Sequence, residues 1–263
     1  MKMILAAIAA SVSTLAGAVT VTTDFSDMWW IPSESGWGAN MIQQGDTIFV
    51  TLFVYDSSNK AVWYVGPATT YGGTINGAQH FTGPLYSVTG PYFGASTFDP
   101  GSVGVTQVGN VSFDAPTSAT GTLAYSVNGV NVTKNVQRQT WRNDTLAGTY
   151  RGASIGTYTR CPGTTTIDFP NTLTITQVAS SVIINEFGTG FGGAAYTCRY
   201  TGTYTQSGKL GTITGTETCS DGSLQSFTAS NIQVSADSVS MAIVSDVSVC
   251  HFSGRIGGMR EPQ

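Results

Sequence analysis

Two stretches decide the fold: LAYSVNGVNVTKNVQR, residues 123–138, and YTCRYTGTYTQSGKLGTITGTETC, residues 196–219. In the first, Leu123 to Val127 and Val130 to Val136 alternate in polarity on either side of Asn128-Gly129. That pair is the preferred centre of a type I′ turn, because both positions need a positive φ. The turn sets Val127 opposite Val130, Tyr125 opposite Val132 and Leu123 opposite Lys134, and the same face runs on through Val136 to Arg138. In the second stretch, Gly208-Lys209 suits a two-residue II′ turn, which wants Gly first. Tyr204 then meets Ile213, Gly202 meets Gly215, and Cys198 falls directly across from Cys219. Cross-strand neighbours at non-hydrogen-bonded positions have Cα atoms ~4.5 Å apart, at the short end of disulfide reach. The register therefore predicts Cys198–Cys219 and leaves Cys161–Cys250 by elimination.

Outward from these hairpins the same grammar continues. Strands separated by turn clusters run from end to end, with no convincing amphipathic helix after the N-terminal segment. Thr47 to Tyr55 is apolar on both sides: Ile48, Val50, Leu52 and Val54 on one, Phe49, Phe53 and Tyr55 on the other. This suggests a strand covered twice, by a core and by a second layer or a partner. Asp56 to Lys60 reads as its turn and Ala61 to Val65 as the returning strand. Trp141 to Thr145 is polar, ends one β run and precedes a fresh strand at Leu146 to Tyr150; every cysteine lies beyond it. The expectation is an all-β protein of two antiparallel meander domains, barrel- or sandwich-like, at about residues 19–142 and 146–260. Closure suits small β domains because it removes unpaired edges.

The N-terminus reads as a secretory signal over residues 1–18. Lys2 supplies the positive region, Met3 to Ala10 the apolar run, and Ala16-Gly17-Ala18 the small-residue cleavage site. The apolar run is too short for a membrane span, which takes ~20 residues. Ala18 follows Leu15-Ala16-Gly17 where a lipoprotein would carry Cys, so no stable membrane anchor is expected. Charged residues make up only 10 % of the chain and Gly numbers 32. That profile fits a hydroxyl-rich exported β protein, and the lack of a basic cluster disfavours nucleic-acid binding, so no nucleic-acid partner is expected. Four cysteines in an exported chain read as disulfides, and the spacing offers no metal site.

The densest chemistry lies in Met28 to Asn40, where Trp29, Trp30 and Trp37 are interleaved with Pro32, Glu34, Gly36 and Gly38. Aromatic rings with a polar edge either stack on sugars and close over apolar ligands, or plug the end of a small barrel. With Tyr55 and Trp63 these rings are the candidate lining of a pocket in the first domain. Lys134 and Arg138 put two cations on an otherwise apolar strand face. That face either opens at the rim, where long basic side chains reach water, or floors a ligand cavity and offers charge to an anionic or polar group.

The run Trp29-Trp30-Ile31-Pro32-Ser33-Glu34-Ser35-Gly36-Trp37-Gly38-Ala39-Asn40, continuing through Gln43 to Phe49 and Phe53 to Asp56, resembles a segment of exported bacterial proteins of unassigned function. Phe81 to Tyr86 and Gln137-Arg138-Gln139 resemble two further blocks of that group. The resemblance covers the first half of the mature chain and implies a bacterial, exported β domain; it brings no catalytic residues. A broader likeness to avidin- and lipocalin-type barrels is topological only. Where the lipocalin opening has Gly-x-Trp, this chain has Gly36-Trp37-Gly38.

Catalytic readings are thin. Glu34 has no evident carboxylate partner, Ser35 is not in a G-x-S-x-G elbow, and His80 and His251 fall in different halves. No catalytic residue and no cofactor is assigned. The leading expectation is a secreted or periplasmic binding module for a small molecule or glycan, with the disulfide-tied domain as scaffold or contact surface. A structural component of the cell envelope and a glycan-active enzyme are the alternatives, and the oligomeric state is open.

Overall fold

A computed structural model describes residues 21–160, 163–247 and 250–262. It contains two closed antiparallel barrels of eight strands each, in simple meander order. The first is built from β1 (Asp27–Trp30), β2 (Gly38–Gln44), β3 (Thr47–Tyr55), β4 (Ala61–Ile75), β5 (Ala78–Thr89), β6 (Gly104–Ala115), β7 (Thr120–Val127) and β8 (Val130–Arg138). The second is built from β9 (Gly148–Thr159), β10 (Thr165–Val178), β11 (Ser181–Thr189), β12 (Ala195–Ser207), β13 (Leu210–Cys219), β14 (Leu224–Val234), β15 (Ser238–Val247) and β16 (Cys250–Arg260). β8 returns to pair with β1, and β16 with β9, so neither sheet has a free edge. The expected signal segment and Cys161 lie outside the described residues.

Both diagnostic hairpins have the expected register. Asn128 and Gly129 take φ of 49° and 86°, and Leu123 pairs with Lys134. Gly208 takes φ 58° at the β12–β13 turn, and Cys198 lies opposite Cys219 with Cα atoms 4.0 Å apart, joined as a disulfide. The structure differs at β3. Ile48, Val50 and Leu52 are buried as one face, but Phe49 and Tyr55 on the other are exposed to solvent. A closed barrel has one interior, and no second layer covers that outer face among the described residues.

Each barrel is sealed at one end by the same device. An eight-stranded barrel leaves its ends open, and the chain that crosses such an end brings backbone carbonyls with no sheet partner. In the first barrel the Trp29 indole N–H donates to Phe25 O at 3.0 Å, and the Arg138 guanidinium lies 4.9 Å from the Trp29 ring centroid. Arg138 donates to the carbonyls of Ser26, Asp24 and Ser118 and pairs with Asp27 at 3.1 Å. In the second barrel the Tyr150 hydroxyl donates to Leu146 O at 2.9 Å, and Arg260 lies 4.7 Å over the Tyr150 ring. Arg260 donates to the carbonyls of Ala147 and Ala236.

The likeness extends to a glutamine. Phe25 N–H donates to Gln43 and Leu146 N–H to Gln177, and each glutamine amide donates onward to a carbonyl two residues later, Gly45 or Ala179. Guanidinium suits the task because its five donors form a planar fork that can stack on a ring while it hydrogen-bonds. The two ends sealed in this way also meet. Lys209 N–H donates to Asp27 at 2.9 Å, Gly208 N–H to Thr140 Oγ1 at 2.9 Å, and Asn231 to Thr23 at 3.2 Å. A Cβ on Gly208 would lie 2.0 Å from an Asp27 oxygen, so this left-handed turn must be glycine.

Arg138→Met is expected to destabilise the first barrel by roughly 3–5 kcal/mol, since it leaves Asp27 and three carbonyls without their buried donor. Arg260→Met should cost the second barrel less, because that guanidinium is half-buried. Urea denaturation followed by tryptophan fluorescence checks the first case, as four of the five tryptophans precede the end of β8. A loss below about 1 kcal/mol would mean that ring stacking seals the end without the cation.

Candidate functional site

The first barrel does not gather the expected residues into one pocket. Trp29 is wholly buried at the sealed end, edge-on to Phe113 with ring centroids 4.8 Å apart. Trp30 follows it in β1 and therefore faces the opposite side. Trp37 sits at the other end, where its indole N–H donates to Glu34 at 3.0 Å and Lys134 lies 5.5 Å from its ring centroid. Lys134 completes this group with an ion pair to Glu34 at 2.7 Å. These contacts hold the Glu34 carboxyl below the usual carboxylate range, chiefly through the Lys134 bond.

Tyr55 is 57 % exposed and touches this group only through a bond from its hydroxyl to Gly36 O. Trp63 is 53 % exposed on the outer wall, across from Phe53, while its neighbour Tyr64 packs on the core. Lys134 thus reaches the rim, as one reading of its face allowed. Arg138 does neither of the expected things: it is a buried seal beneath Trp29, not a rim charge or a cavity floor. Trp37 and Lys134 come together; Trp29 and Arg138 come together at the far end; Trp63 joins neither.

The second barrel holds a cavity of about 530 Å³ in the half away from Arg260. Its walls carry Tyr158, Phe169, Phe191, Tyr196 and Phe252. Phe169 packs edge-on to Phe191 at 4.9 Å, and Tyr158 tilts against Phe252 at 4.9 Å. The Cys198–Cys219 bridge forms part of the lining, so the sulfurs beside Glu217 are bonded to each other and are not a thiolate metal site. Inward positions on successive strands bring polar groups to the floor: Ser154 from β9, Glu186 from β11, Tyr200 from β12, Glu217 from β13 and Gln225 from β14.

Glu186 is 2 % exposed and amply satisfied. Its Oε1 accepts from Ser154 Oγ, Asn171 Nδ2 at 2.9 Å and Tyr196 OH at 2.7 Å, and its Oε2 from Tyr200 OH at 2.8 Å. Glu217 is 6 % exposed and accepts from Gln225 Nε2 at 2.6 Å, with Tyr200 and Ser245 also in reach. Burial pushes the Glu217 carboxyl up, and the nearby Glu186 charge adds to that push. Burial and the same charge also raise the Tyr196 and Tyr200 hydroxyls, so both remain neutral donors. Among the described lining residues there is no Lys, Arg or His, while Asp221 adds a third acid. Gln225 is 9 % exposed and its Oε1 has no hydrogen-bond partner.

The sequence carried a usable sign of this site. Val182, Ile184 and Glu186 share one face of β11, and Ile213, Gly215 and Glu217 one face of β13, so period-two counting puts both acids inside. An acid in register with core residues is rarely left in an interior without a reason. No family model matches the chain, and no curated protein matches it in sequence.

Glu217 gives a pH prediction. Its folded pKa lies above the unfolded value of about 4.5, so below that value the carboxyl is protonated in both states and costs nothing. As pH rises through the interval above 4.5, the unfolded chain ionises first and the folded state loses stability. Glu217→Gln is therefore expected to match the parent at about pH 4 and to melt higher at about pH 7. Melting curves across that range check the sign, and a variant less stable at neutral pH would contradict it.

Proposed function

We propose that the chain is an exported binding protein that holds a small molecule within the second barrel. The observation that supports this reading is the cavity of about 530 Å³, with aromatic walls and a few convergent polar side chains at its floor. Ligand sites have this size and composition, at roughly 300–1,000 Å³. The first barrel is filled through its sealed half by Phe25, Trp29, Phe81 and Phe113, so it serves better as a rigid partner than as the container. The signal-like N-terminus and the disulfide support export to an oxidising compartment, periplasmic or extracellular. The Lys134–Glu34–Trp37 group then ties the segment between β1 and β2 across the first barrel's rim.

A second reading, an enzyme acting on a glycan or another small substrate, has one observation in its favour. Glu186 and Glu217 share Tyr200 between them, and burial pushes the Glu217 carboxyl up. A carboxyl raised by burial beside a second carboxyl can serve as the acid of a catalytic pair. In the binding reading the same pair recognises a ligand without turning it over.

Native mass spectrometry of protein purified gently from its own compartment tests the proposal. A small molecule lost on denaturation is expected on the parent chain. Ala194→Trp, at the cavity lining on an exposed residue, should abolish it while shifting stability by no more than about 0.5 kcal/mol. A ligand retained by Ala194→Trp and lost in a Trp37→Ala variant would place the site in the first barrel instead. A changed mass after incubation with the ligand would favour the enzyme.

A further inference from the structure

We propose that the ligand of the second barrel is an organic ammonium ion with an apolar arm, its N–H groups held by Glu217 and Gln225. The inference rests on the binding function proposed above and narrows it to one chemical class. Glu186, Glu217 and Asp221 all line the cavity, and no cationic side chain among the described lining residues answers them. Buried carboxylates are normally paired, and an unpaired one is expensive. Acids alone do not make a site, but a second observation points the same way. Gln225 is nine-tenths buried, belongs to the lining, and spends its amide N–H on Glu217 while its Oε1 acceptor has no partner. A buried, unsatisfied acceptor beside a carboxylate asks for a donor that carries positive charge.

The walls fit the remainder of such a ligand. The rings of Phe169, Tyr196 and Phe252 line the space above the acids, and aromatic faces attract cations as well as hydrocarbon. A bare metal ion fits less well. Glu186 already receives four donors, from Ser154, Asn171, Tyr196 and Tyr200, and hard cations need six or more oxygens closing on one point. A space of about 530 Å³ walled by rings does not supply them. An anion would meet three acids and no cation. Glu186 therefore has its oxygens already occupied by donors of the barrel, and Glu217 is the group that makes contact.

The titratable and charged groups around Glu217 are Glu186, Tyr200, Tyr158 and Asp221, with Gln225 and Ser245 as neutral neighbours. All three tyrosines of the floor and wall titrate above their ordinary range, so Glu217 is the group whose proton the cation displaces in weakly acidic solution. Affinity for the ammonium should accordingly rise with pH above 4.5 until Glu217 is ionised in the free protein.

The test uses the mature two-barrel chain, stripped of bound small molecules, and matched probes read by titration calorimetry. The probes are 2-phenylethylammonium, tryptammonium and hexylammonium, the alcohols of the same skeletons, and 3-phenylpropionate. At least one ammonium is expected to bind about tenfold or more tighter than its alcohol, with no binding of the carboxylate. Glu217→Gln should erase that preference, so that each ammonium binds no tighter than its alcohol; since this variant is expected to fold at least as well as the parent, the loss is not one of structure. Alcohols bound as tightly as ammoniums would overturn the inference and leave the cavity reading intact. Calcium binding that depends on Glu217, with no ammonium bound, would overturn it in favour of a metal site. No binding of any probe, together with an empty cavity in native mass spectrometry of the unstripped protein, would sink both readings.

Discussion

A guanidinium lying on an aromatic ring, at the last residue of the last strand, is the contact on which both barrels depend. Sheet hydrogen bonds close each barrel around its circumference but not at its ends. The chain entering at Asp24 to Ser26, or at Leu146 and Ala147, crosses one end with its carbonyls turned inward, where water would otherwise follow them. Arg138 satisfies the Asp24 and Ser26 carbonyls and Arg260 that of Ala147, while the Tyr150 hydroxyl takes Leu146 O, and each guanidinium covers an aromatic ring with the same planar group. Burial disfavours the Arg138 charge, and Asp27 and Asp24 offset that penalty. The cation is tolerable inside because nearly every donor it owns is used.

Because the same seal occurs in both halves, the differences between the barrels lie in what stands above it. In the first, Trp29, Phe25, Phe81 and Phe113 interlock edge to face, and little space is left in the sealed half. In the second, the corresponding depth is packed by smaller side chains such as Ile175, Ile184, Ile213 and Ala229. Polar residues then take the inward positions nearer the mouth. The Gly208-Lys209 turn joins the two seals directly, since Asp27 serves Arg138 of one barrel and the backbone N–H of Lys209 from the other. With that end of the second barrel sealed and in contact with the first, the cavity lies toward its other end.

Local turn chemistry makes the fold legible in the sequence, whereas the site depends on which face of its strand each side chain takes. Asn128-Gly129 and Gly208-Lys209 have turn chemistry that admits few registers, so strand pairing and the Cys198–Cys219 bridge followed from counting residues. Composition drew attention to the tryptophans, yet composition ignores the alternation of faces. Adjacent Trp29 and Trp30 cannot both point inward, and Trp63 shares a face with Phe53, outside. Arg138 was legible as an inward cation but not as a seal, because its partners are backbone carbonyls from three separate segments. Glu186 and Glu217 were legible in principle from period two. The orphan Oε1 of Gln225 was not, since it depends on which neighbours lie within about 3 Å in the folded chain.

The cavity half of the second barrel carries two energetic burdens. Its interior is partly empty, and it buries two acids that share a tyrosine. Glu186 meets its cost with four donors, whereas Glu217 has fewer and is driven toward its neutral form. The disulfide stands at this point, joining β12 and β13 two residues beyond Glu217 in the cavity wall. Closing a loop with a sequence separation of 21 removes denatured-state entropy worth about 3 kcal/mol, comparable with the several kcal/mol that an unpaired buried carboxylate costs. The bridge lets the strands that carry Glu217 hold their register without a packed interior beneath them. A covalent tie beside an under-satisfied acid is what a barrel needs if its interior is kept open for a charge that arrives from outside.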